Sequence, residues 1–292
     1  MPCYHPVQGF RAPGGGLSFN PKTGYVDQPL TVPCGQCIGC RLERSRQWAV
    51  RCVHEASLHG QNCFITLTYD QAHLPEGETL VKKHLQDFNK RLRQYIHREH
   101  RGKKISFFAC GEYGDALARP HYHELVFGFN FPDRTVHKKT GKGTFWRSPI
   151  LEKLWGKGHC LIGSVTFETA AYCARYTVKK VTGDMAEKHY TGKLPEFMCC
   201  STRPAIGLRW IEIYHGETYQ DDTVISRGRE AKPPRYYDKV LKRNDEALHA
   251  SITRERKLSA VEPERAQHST PARLAVRETV AKAKTSLSKR TL

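Results

Sequence analysis

The amino-acid sequence predicts an α+β fold in which helices pack on a mainly antiparallel sheet. Short apolar stretches rich in β-branched residues alternate with longer segments whose apolar residues recur at helical spacing. These elements follow the order strand, helix, strand, strand, strand and helix, which is typical of a layered α+β protein. A chain of 292 residues is long enough for one main core with appendages.

The predicted helices and strands lie in the first two thirds of the chain. Residues 41–58 and 82–99 each place apolar side chains along one side of a helix that is otherwise rich in Arg and Lys. A short helix is predicted around Ile150 to Trp155, and another starts at Thr166, a favourable N-cap, and continues to about Lys180. The predicted strands are Cys63 to Tyr69, Ile105 to Cys110, His121 to Phe129 and Cys160 to Val165.

The two ends of the chain lack this periodicity. Residues 1–33 are rich in Gly and Pro and are predicted to form an irregular arm. Inside the chain, residues 130–148 are also predicted to be irregular, because they are polar and basic. No aromatic residue follows Tyr237, so the end of the chain is predicted to be a basic, mobile tail or a loosely attached helix. We therefore expect three regions: the arm and basic helix in residues 1–60, the main domain in residues 61–237 and the tail in residues 238–292.

The chain has a formal net charge of +18, from 47 Lys and Arg against 29 Asp and Glu. This excess is larger than solubility needs and predicts a polyanionic partner, with nucleic acid as the leading candidate. A membrane surface would attract the same charge, but no apolar run is long enough to span a bilayer and no signal-peptide pattern follows Met1. The odd number of cysteines, eleven, favours reduced thiols in a cytosol over a disulfide scaffold.

Two histidines and a glutamate form the first candidate site. Side chains alternate between the faces of a strand, so His121 and His123 project to one side and Tyr122 to the other. Glu112 lies two residues beyond the preceding strand and reaches the same face if the two strands pair. Two imidazoles and one carboxylate with open positions predict a site for Mg²⁺ or Mn²⁺, which would act as a Lewis acid on a phosphodiester. The alternative is one buried, hydrogen-bonded histidine and one exposed histidine.

A pair of tyrosines forms the second candidate site. On the helix that starts at Thr166, Tyr172 and Tyr176 lie four residues apart and share a face with Lys179 or Lys180. A phenol ionises near pH 10, so it acts as a nucleophile at neutral pH only beside a cation or a polarised phosphate. The lysines would supply that cation. The alternative is that the tyrosines are core aromatics and the lysines a solvated face.

Three cysteines form the third candidate site. Cys34, Cys37 and Cys40 are spaced so that their thiols can face one ion, and Cys3, His5 or Cys52 would complete a structural Zn²⁺ site. The alternative is that these thiols hold no zinc, because the second ligand pair of a zinc ribbon is absent.

Basic side chains on the two amphipathic helices are predicted to neutralise DNA phosphates, and the alternative for each is a solvated helix face. These residues are Arg41, Arg44, Arg46 and Arg51 on the first helix, and Lys90, Arg91, Arg93 and Arg98 on the second.

Three segments resemble, in order, the motifs of HUH-superfamily replication initiators, and the resemblance is closest to those of microviruses, especially the gokushovirus group. The segments are FITLTYD (Phe64 to Asp70), CGEYG (Cys110 to Gly114) with RPHYH (Arg119 to His123), and YCARYTVKK (Tyr172 to Lys180). The resemblance spans roughly residues 33–207 and includes RPAIG (Arg203 to Gly207).

This resemblance implies a five-stranded antiparallel sheet with flanking helices, the HUH or ferredoxin-like nuclease fold. It implies that His121, His123 and Glu112 bind a divalent ion, that Tyr172 and Tyr176 are paired nucleophiles, and that one of the following lysines steadies phosphate charge. The implied activity is rolling-circle initiation: nicking and rejoining single-stranded DNA at the origin through a 5′-phosphotyrosyl link. The implied location is the cytoplasm of a bacterial host.

Two other functions remain open at this point. One is a zinc-stabilised protein that binds single-stranded DNA without cutting it, and the other is a metal-dependent nuclease that uses water as its nucleophile. No phosphate-loop motif is present in the sequence, so we expect no helicase domain, and strand separation and synthesis would fall to a host helicase and polymerase.

Overall fold

The computed structural model describes residues 3–114, 117–141, 143–175, 181, 183 and 185–287. The chain divides into two compact units, which we describe separately: Met1–Arg44 with Ser251–Leu292, and Ser45–Ala250. The strands are β1 (Val7–Arg11), β2 (Leu17–Ser18), β3 (Tyr25–Val32), β4 (Asn62–Thr68), β5 (Ser106–Tyr113), β6 (Pro120–Phe127), β7 (Thr135–Thr140), β8 (Gly143–Arg147), β9 (Cys160–Gly163), β10 (Phe197–Cys200), β11 (Val224–Ser226) and β12 (Arg229–Ala231).

The described helices begin and end as follows: α1 (Ile38–Ser57), α2 (Lys82–Glu99), α3 (Pro149–Trp155), α4 (Phe167–Ala174), α5 (Met185–Tyr190), α6 (Leu208–Gln220), α7 (Arg235–Asn244), α8 (Glu246–Val261), α9 (Pro263–Ala266) and α10 (Pro271–Leu287). The predicted helices at 41–58, 82–99 and 150–155 are confirmed. Within the described part of the chain, no helix has the length and apolar character needed to cross a bilayer.

The first unit contains a small antiparallel sheet in the order β2-β1-β3. The prediction of an irregular arm over residues 1–33 is therefore wrong for these strands. Most of their side chains are exposed, so the sequence carries no apolar alternation that would reveal them. Gly14, Gly15 and Gly16 all have positive φ in the turn between β1 and β2, where glycine avoids the strain of a side chain. The segment expected to be either a mobile tail or a loosely attached helix is helical in α8, α9 and α10.

The second unit is built on an antiparallel sheet of seven strands in the order β10-β5-β6-β4-β9-β8-β7. The predicted α+β class with an antiparallel sheet is confirmed, but the expected number of five strands is wrong. The additional hairpin, β7 with β8, lies in the region that was predicted to be irregular. All six residues of β7 are exposed, so pairing alone, and not burial, makes this segment a strand.

Alternation along the central strands separates the two faces of this sheet. On one face, Ile65 and Tyr122 pack with residues of α2 and α3 such as Phe88 and Trp155. On the other face, Phe64, Phe108 and Leu125 pack with α1 and α4. Both clusters are buried, which makes the sheet the central layer of three. The residues of the candidate metal site lie on the face that carries α1 and α4.

Helix α4 begins where the sequence predicts. The hydroxyl of Thr166 accepts a hydrogen bond from the backbone N–H of Thr169 at 3.2 Å, and the Thr169 hydroxyl accepts one from the N–H of Thr166 at 2.9 Å. Ala170, Cys173 and Ala174 are fully buried against the sheet, and these small side chains let the helix approach it closely. This approach positions Tyr172 over the candidate metal site.

His54 on α1 gives the second unit a pH-dependent stability. Its ring stacks on Trp210 with centroids 3.5 Å apart, and its Nδ1 lies 2.9 Å from the Tyr237 hydroxyl. Burial lowers the pKa of His54 from its ordinary value of 6.5 to about 4. The unfolded chain therefore binds more protons than the folded chain between these values, so stability falls as the pH drops below 6.5.

We expect this titration to lower the free energy of unfolding by about 2 kcal/mol between pH 7 and pH 5. Denaturant unfolding of the wild type and of His54→Gln at both pH values measures it, since the variant should lose that share of the pH dependence. His137→Gln, at an exposed position on β7, is the matched control and should behave as wild type. An identical pH dependence in His54→Gln would contradict the assignment.

Candidate functional site

The register of β5 and β6 brings the predicted metal ligands together. Glu112 lies directly opposite His121, and Cys110 lies opposite His123, so all four side chains share one face. Glu112 Oε1 is 3.2 Å from His121 Nε2 and 3.3 Å from His123 Nε2. The candidate ligand atoms of Glu112, His121 and His123 all lie within 4.8 Å of one another. Tyr122 points to the opposite face, where it is fully buried.

The second nitrogen of each imidazole has its own partner. His121 Nδ1 lies 3.1 Å from the carbonyl oxygen of Arg119, and His123 Nδ1 lies 3.0 Å from the hydroxyl of Thr66. A carbonyl oxygen only accepts hydrogen bonds, so Nδ1 of His121 donates to it, and Nε2 is the ring nitrogen that faces Glu112. The Phe64 ring stacks on His123 with centroids 5.3 Å apart. These contacts orient both rings, as partners of metal-binding histidines do.

The charge of the carboxylate suits a cation. Burial by itself would raise the pKa of Glu112, but hydrogen bonds from His121 and His123 hold it well below its usual value. A buried anion with two imidazole nitrogens is a donor set that divalent ions accept. The residues present therefore fit a metal ion at this position.

Tyr172 reaches this carboxylate from α4. Its hydroxyl donates a hydrogen bond to Glu112 Oε1 at 2.5 Å, and its ring meets the His123 ring edge-on with centroids 4.9 Å apart. The guanidinium of Arg175 lies 5.3 Å from the centre of the Tyr172 ring. Our sequence reading did not single out Arg175, although it stands between the two tyrosines of the motif. Tyr176, Lys179 and Lys180 lie outside the described residues.

A cluster of four cysteines lies in the first unit. The sulfurs of Cys3, Cys34, Cys37 and Cys40 all lie within 4.8 Å of one another, so Cys3 is the fourth member of the set. Cys3 Sγ is 3.7 Å from Cys34 Sγ and 4.0 Å from Cys37 Sγ. A tetrahedron with Zn–S bonds of about 2.3 Å has corners about 3.8 Å apart, so these spacings fit a zinc ion.

The other two candidates for the fourth ligand have different environments. His5 Nε2 lies 2.7 Å from Glu278 Oε2, and Cys52 is fully buried in the core of the second unit. Backbone N–H groups point at the sulfurs of the cluster: Tyr4 N donates to Cys37 Sγ at 3.3 Å, and Cys34 N donates to Cys3 Sγ at 3.3 Å. Such bonds stabilise thiolates, the form that binds metal.

We expect the purified protein to contain about one zinc ion per chain, bound by this cluster. Cys37→Ser should lose the zinc and melt at a lower temperature, because a structural zinc contributes to the free energy of folding. Elemental analysis and a melting curve measure both. Cys200→Ser, a half-buried thiol outside the cluster, is the matched control and should keep its zinc. Unchanged zinc in Cys37→Ser would count against the site.

The basic residues predicted to contact DNA fall into two groups. Arg51 is buried: its Nε and Nη2 donate to the carbonyl of Ile206 at 3.0 and 2.9 Å, and its guanidinium lies 4.0 Å from the ring centres of Trp48 and Tyr236. Arg91 donates to the carbonyl of Leu154 at 2.8 Å. The hydrogen bonds of these two arginines hold elements of the fold together, and their predicted contacts with DNA phosphates remain predictions.

The other predicted DNA-binding residues differ in exposure. Arg46 donates to the carbonyl of Lys232 at 3.0 Å and is half-buried, as is Arg41. The side chains that the structure leaves exposed are Arg44, Lys90, Arg93 and Arg98.

The comparisons with known proteins point to one class. The family described as "Replication-associated protein ORF2/G2P" matches residues 62–181, the segment that carries β4, β5, β6 and α4. The chain is 34% identical to replication-associated protein VP4 of Bdellovibrio phage phiMH2K over 84% of its own length and 78% of that protein. It is 34% identical to replication-associated protein ORF2 of Spiroplasma virus 4, over 73% of this chain and 68% of that one.

A third relative, replication-associated protein ORF4 of Chlamydia phage 1, is 32% identical over 73% of this chain and 54% of its own length. No solved structure matches the chain, so its assignment to the HUH fold remains a prediction. The chain belongs to the family of phage replication-associated proteins, as a replication initiator of the microvirus type.

Proposed function

We propose that this chain nicks and rejoins single-stranded DNA at a replication origin by tyrosine transesterification, and so initiates rolling-circle replication. One observation carries the proposal. The Tyr172 hydroxyl is hydrogen-bonded to Glu112, whose same oxygen contacts the imidazoles of His121 and His123. A phenol, a carboxylate and two imidazoles that converge on one point are the groups that phosphodiester transfer to tyrosine requires.

Glu112, His121 and His123 would hold Mg²⁺ or Mn²⁺. A divalent ion bound there supplies Lewis acidity, which draws electrons from the scissile phosphate and offsets its negative charge. The fixed orientation of the two imidazoles keeps their Nε2 atoms directed at the site without rearrangement.

The Tyr172 oxygen is the attacking atom in this mechanism. It releases its proton to solvent and forms a bond to the phosphorus, the bond from phosphorus to the 3′ oxygen breaks, and the departing oxygen takes up a proton to become a free 3′-hydroxyl, so no net proton is gained or lost. The 5′ end stays on the protein as a phosphotyrosine. Rejoining runs the same step backwards from a 3′-hydroxyl, so it needs no external energy source. The guanidinium of Arg175 lies beside the Tyr172 ring and would offset negative charge that develops on the reacting groups.

The remaining residues of the motif complete the proposal. A second nucleophile, Tyr176, would cut the regenerated origin while Tyr172 still holds the first end, and Lys179 or Lys180 would steady the phosphate charge. We propose residues 61–237 as the endonuclease domain. We also propose the cytoplasm of the bacterial host as the site of action, with a host helicase and polymerase as partners.

A denaturing gel tests the proposed function directly. The purified chain is incubated with Mn²⁺ and a single-stranded origin oligonucleotide, labelled in turn at its 5′ and its 3′ end. A tyrosine transesterase transfers the 3′-labelled fragment to protein and releases a free 5′-labelled fragment. Two free fragments would identify a nuclease that uses water, and an oligonucleotide that the protein binds but leaves intact would be the result expected of a binding protein; either result contradicts the proposal.

A further inference from the structure

A pocket of about 380 Å³ lies on the face of the main sheet opposite the candidate metal site. Helix α2 forms one wall, and strands β5 and β10 form the other. Because β10 is the edge strand of the sheet, the pocket lies at that edge. Its size falls in the range of sites for small organic groups.

The wall of the pocket combines aromatic rings with cations. Phe107 and Phe197 are half-buried, which leaves part of each ring exposed. Arg93 lies 5.2 Å from the centre of the Phe107 ring, and Lys82 lies 5.2 Å from that of Phe197. Lys90 is also exposed at the pocket, and none of the three cations forms an ion pair with a described residue.

A buried amide adds a polar group. Asn89 lines the pocket and is only 4% exposed. Its Nδ2 donates to the Leu85 carbonyl at 3.3 Å and to Glu124 Oε2 at 3.0 Å, so both amide protons are used. Its Oδ1 is buried and has no hydrogen-bond partner among the described residues. A buried acceptor without a donor is costly, and a ligand with an N–H group would relieve that cost.

We propose that this pocket binds one nucleotide of single-stranded DNA, outside the catalytic centre. The cations contact the phosphate, a phenylalanine ring stacks on the base, and Asn89 accepts a hydrogen bond from a base N–H group. Alternating cations and aromatic rings are how proteins hold single strands without reading a long sequence. The inference rests on the proposed function, which is the reason why single-stranded DNA, and not another anion, is taken as the ligand. The pocket would add a second place, besides the catalytic centre, at which the protein holds the strand.

Binding of a fluorescent 20-nucleotide single strand without divalent metal tests the pocket separately from cleavage. We expect Lys90→Ala with Arg93→Ala to weaken binding about tenfold and to lower the salt slope by about 1. Lys103→Ala with Lys104→Ala, which removes the same charge from exposed positions outside the pocket, is the matched control and should change affinity less than about twofold. Equal losses in the two double variants would overturn the proposal.

Photocrosslinking locates the contact. Strands that contain 5-iododeoxyuridine should crosslink to the peptide with Phe107 or the peptide with Phe197, and Phe107→Leu should weaken binding at least about fivefold. Crosslinks confined to other peptides would overturn the proposal. The proposal would also fail if free deoxyadenosine monophosphate displaced the labelled strand at the same concentration as unlabelled strand does, because the pocket would then be a site for free nucleotides. Because no step requires metal or cleavage, a failure of nicking and a failure of the pocket are distinguishable.

Discussion

Tyr172→Phe should abolish the covalent link between Tyr172 and origin DNA and lower the rate of nicking at least about a thousandfold. The variant lacks only the hydroxyl oxygen, which is the proposed nucleophile. Its ring keeps the edge-on contact with His123, and the lost hydrogen bond to the Glu112 carboxylate costs the fold about 2 kcal/mol. Binding of the single strand should therefore change little. A denaturing gel measures the adduct, and mass spectrometry identifies the modified peptide.

The chain offers a close control for this variant. The hydroxyl of Tyr190 also donates to a buried glutamate, Glu196, but this pair is not part of the metal cluster. Tyr190→Phe should leave the adduct at the wild-type level. Any trace of adduct that Tyr172→Phe still forms should map to Tyr176 and disappear in Tyr172→Phe with Tyr176→Phe. An adduct that persists in the double variant removes both tyrosines from the nucleophile role.

Glu112→Gln should weaken binding of Mn²⁺ at least about tenfold and lower cleavage at saturating DNA by two or more orders of magnitude. The substitution keeps the size of the side chain but removes the negative charge that two neutral imidazoles cannot replace. Calorimetric titration of Mn²⁺ and cleavage across a range of Mn²⁺ concentrations measure the two effects. Excess chelator should stop cleavage by the wild type in the same way.

Glu168→Gln is the charge-matched control, because Glu168 lies on α4 with Tyr172 but is 63% exposed and pairs with Arg227. It should bind Mn²⁺ and cleave as the wild type does. Cleavage by Glu112→Gln at the wild-type rate and with the same Mn²⁺ requirement would show that the ion binds elsewhere. Retained cleavage in chelator would show that the reaction needs no divalent ion.

Several features could be predicted from local patterns alone. The strand of His121 to Phe129 follows from its short apolar run, and the period of two along a strand directs His121 and His123 to one face. The start of α4 at Thr166 follows from capping chemistry, which involves only neighbouring residues. The order of the three motifs indicated the family, and the similarity to phage replication-associated proteins confirms it.

Other features depend on partners distant in the chain. The hairpin of β7 and β8 and the small sheet at the N-terminus have mostly exposed side chains, so no burial pattern marks them. The choice of Cys3 over His5 or Cys52 depends on which segment folds beside Cys34. Arg51 has the same sequence character as the exposed arginines near it, and only the carbonyl of Ile206 distinguishes its role.

The sequence by itself determined the residue types of the site, the strand that carries the histidines and the helix that carries Tyr172. The strand and the helix follow from local patterns, with repeats of two and 3.6 residues, that involve only neighbouring side chains. Only the tertiary structure decided that the hydroxyl of Tyr172 meets Glu112, 60 residues away along the chain. That meeting requires strand register between β5 and β6 and the close approach of α4 through Ala170, Cys173 and Ala174. Both depend on long-range packing, which no local pattern encodes.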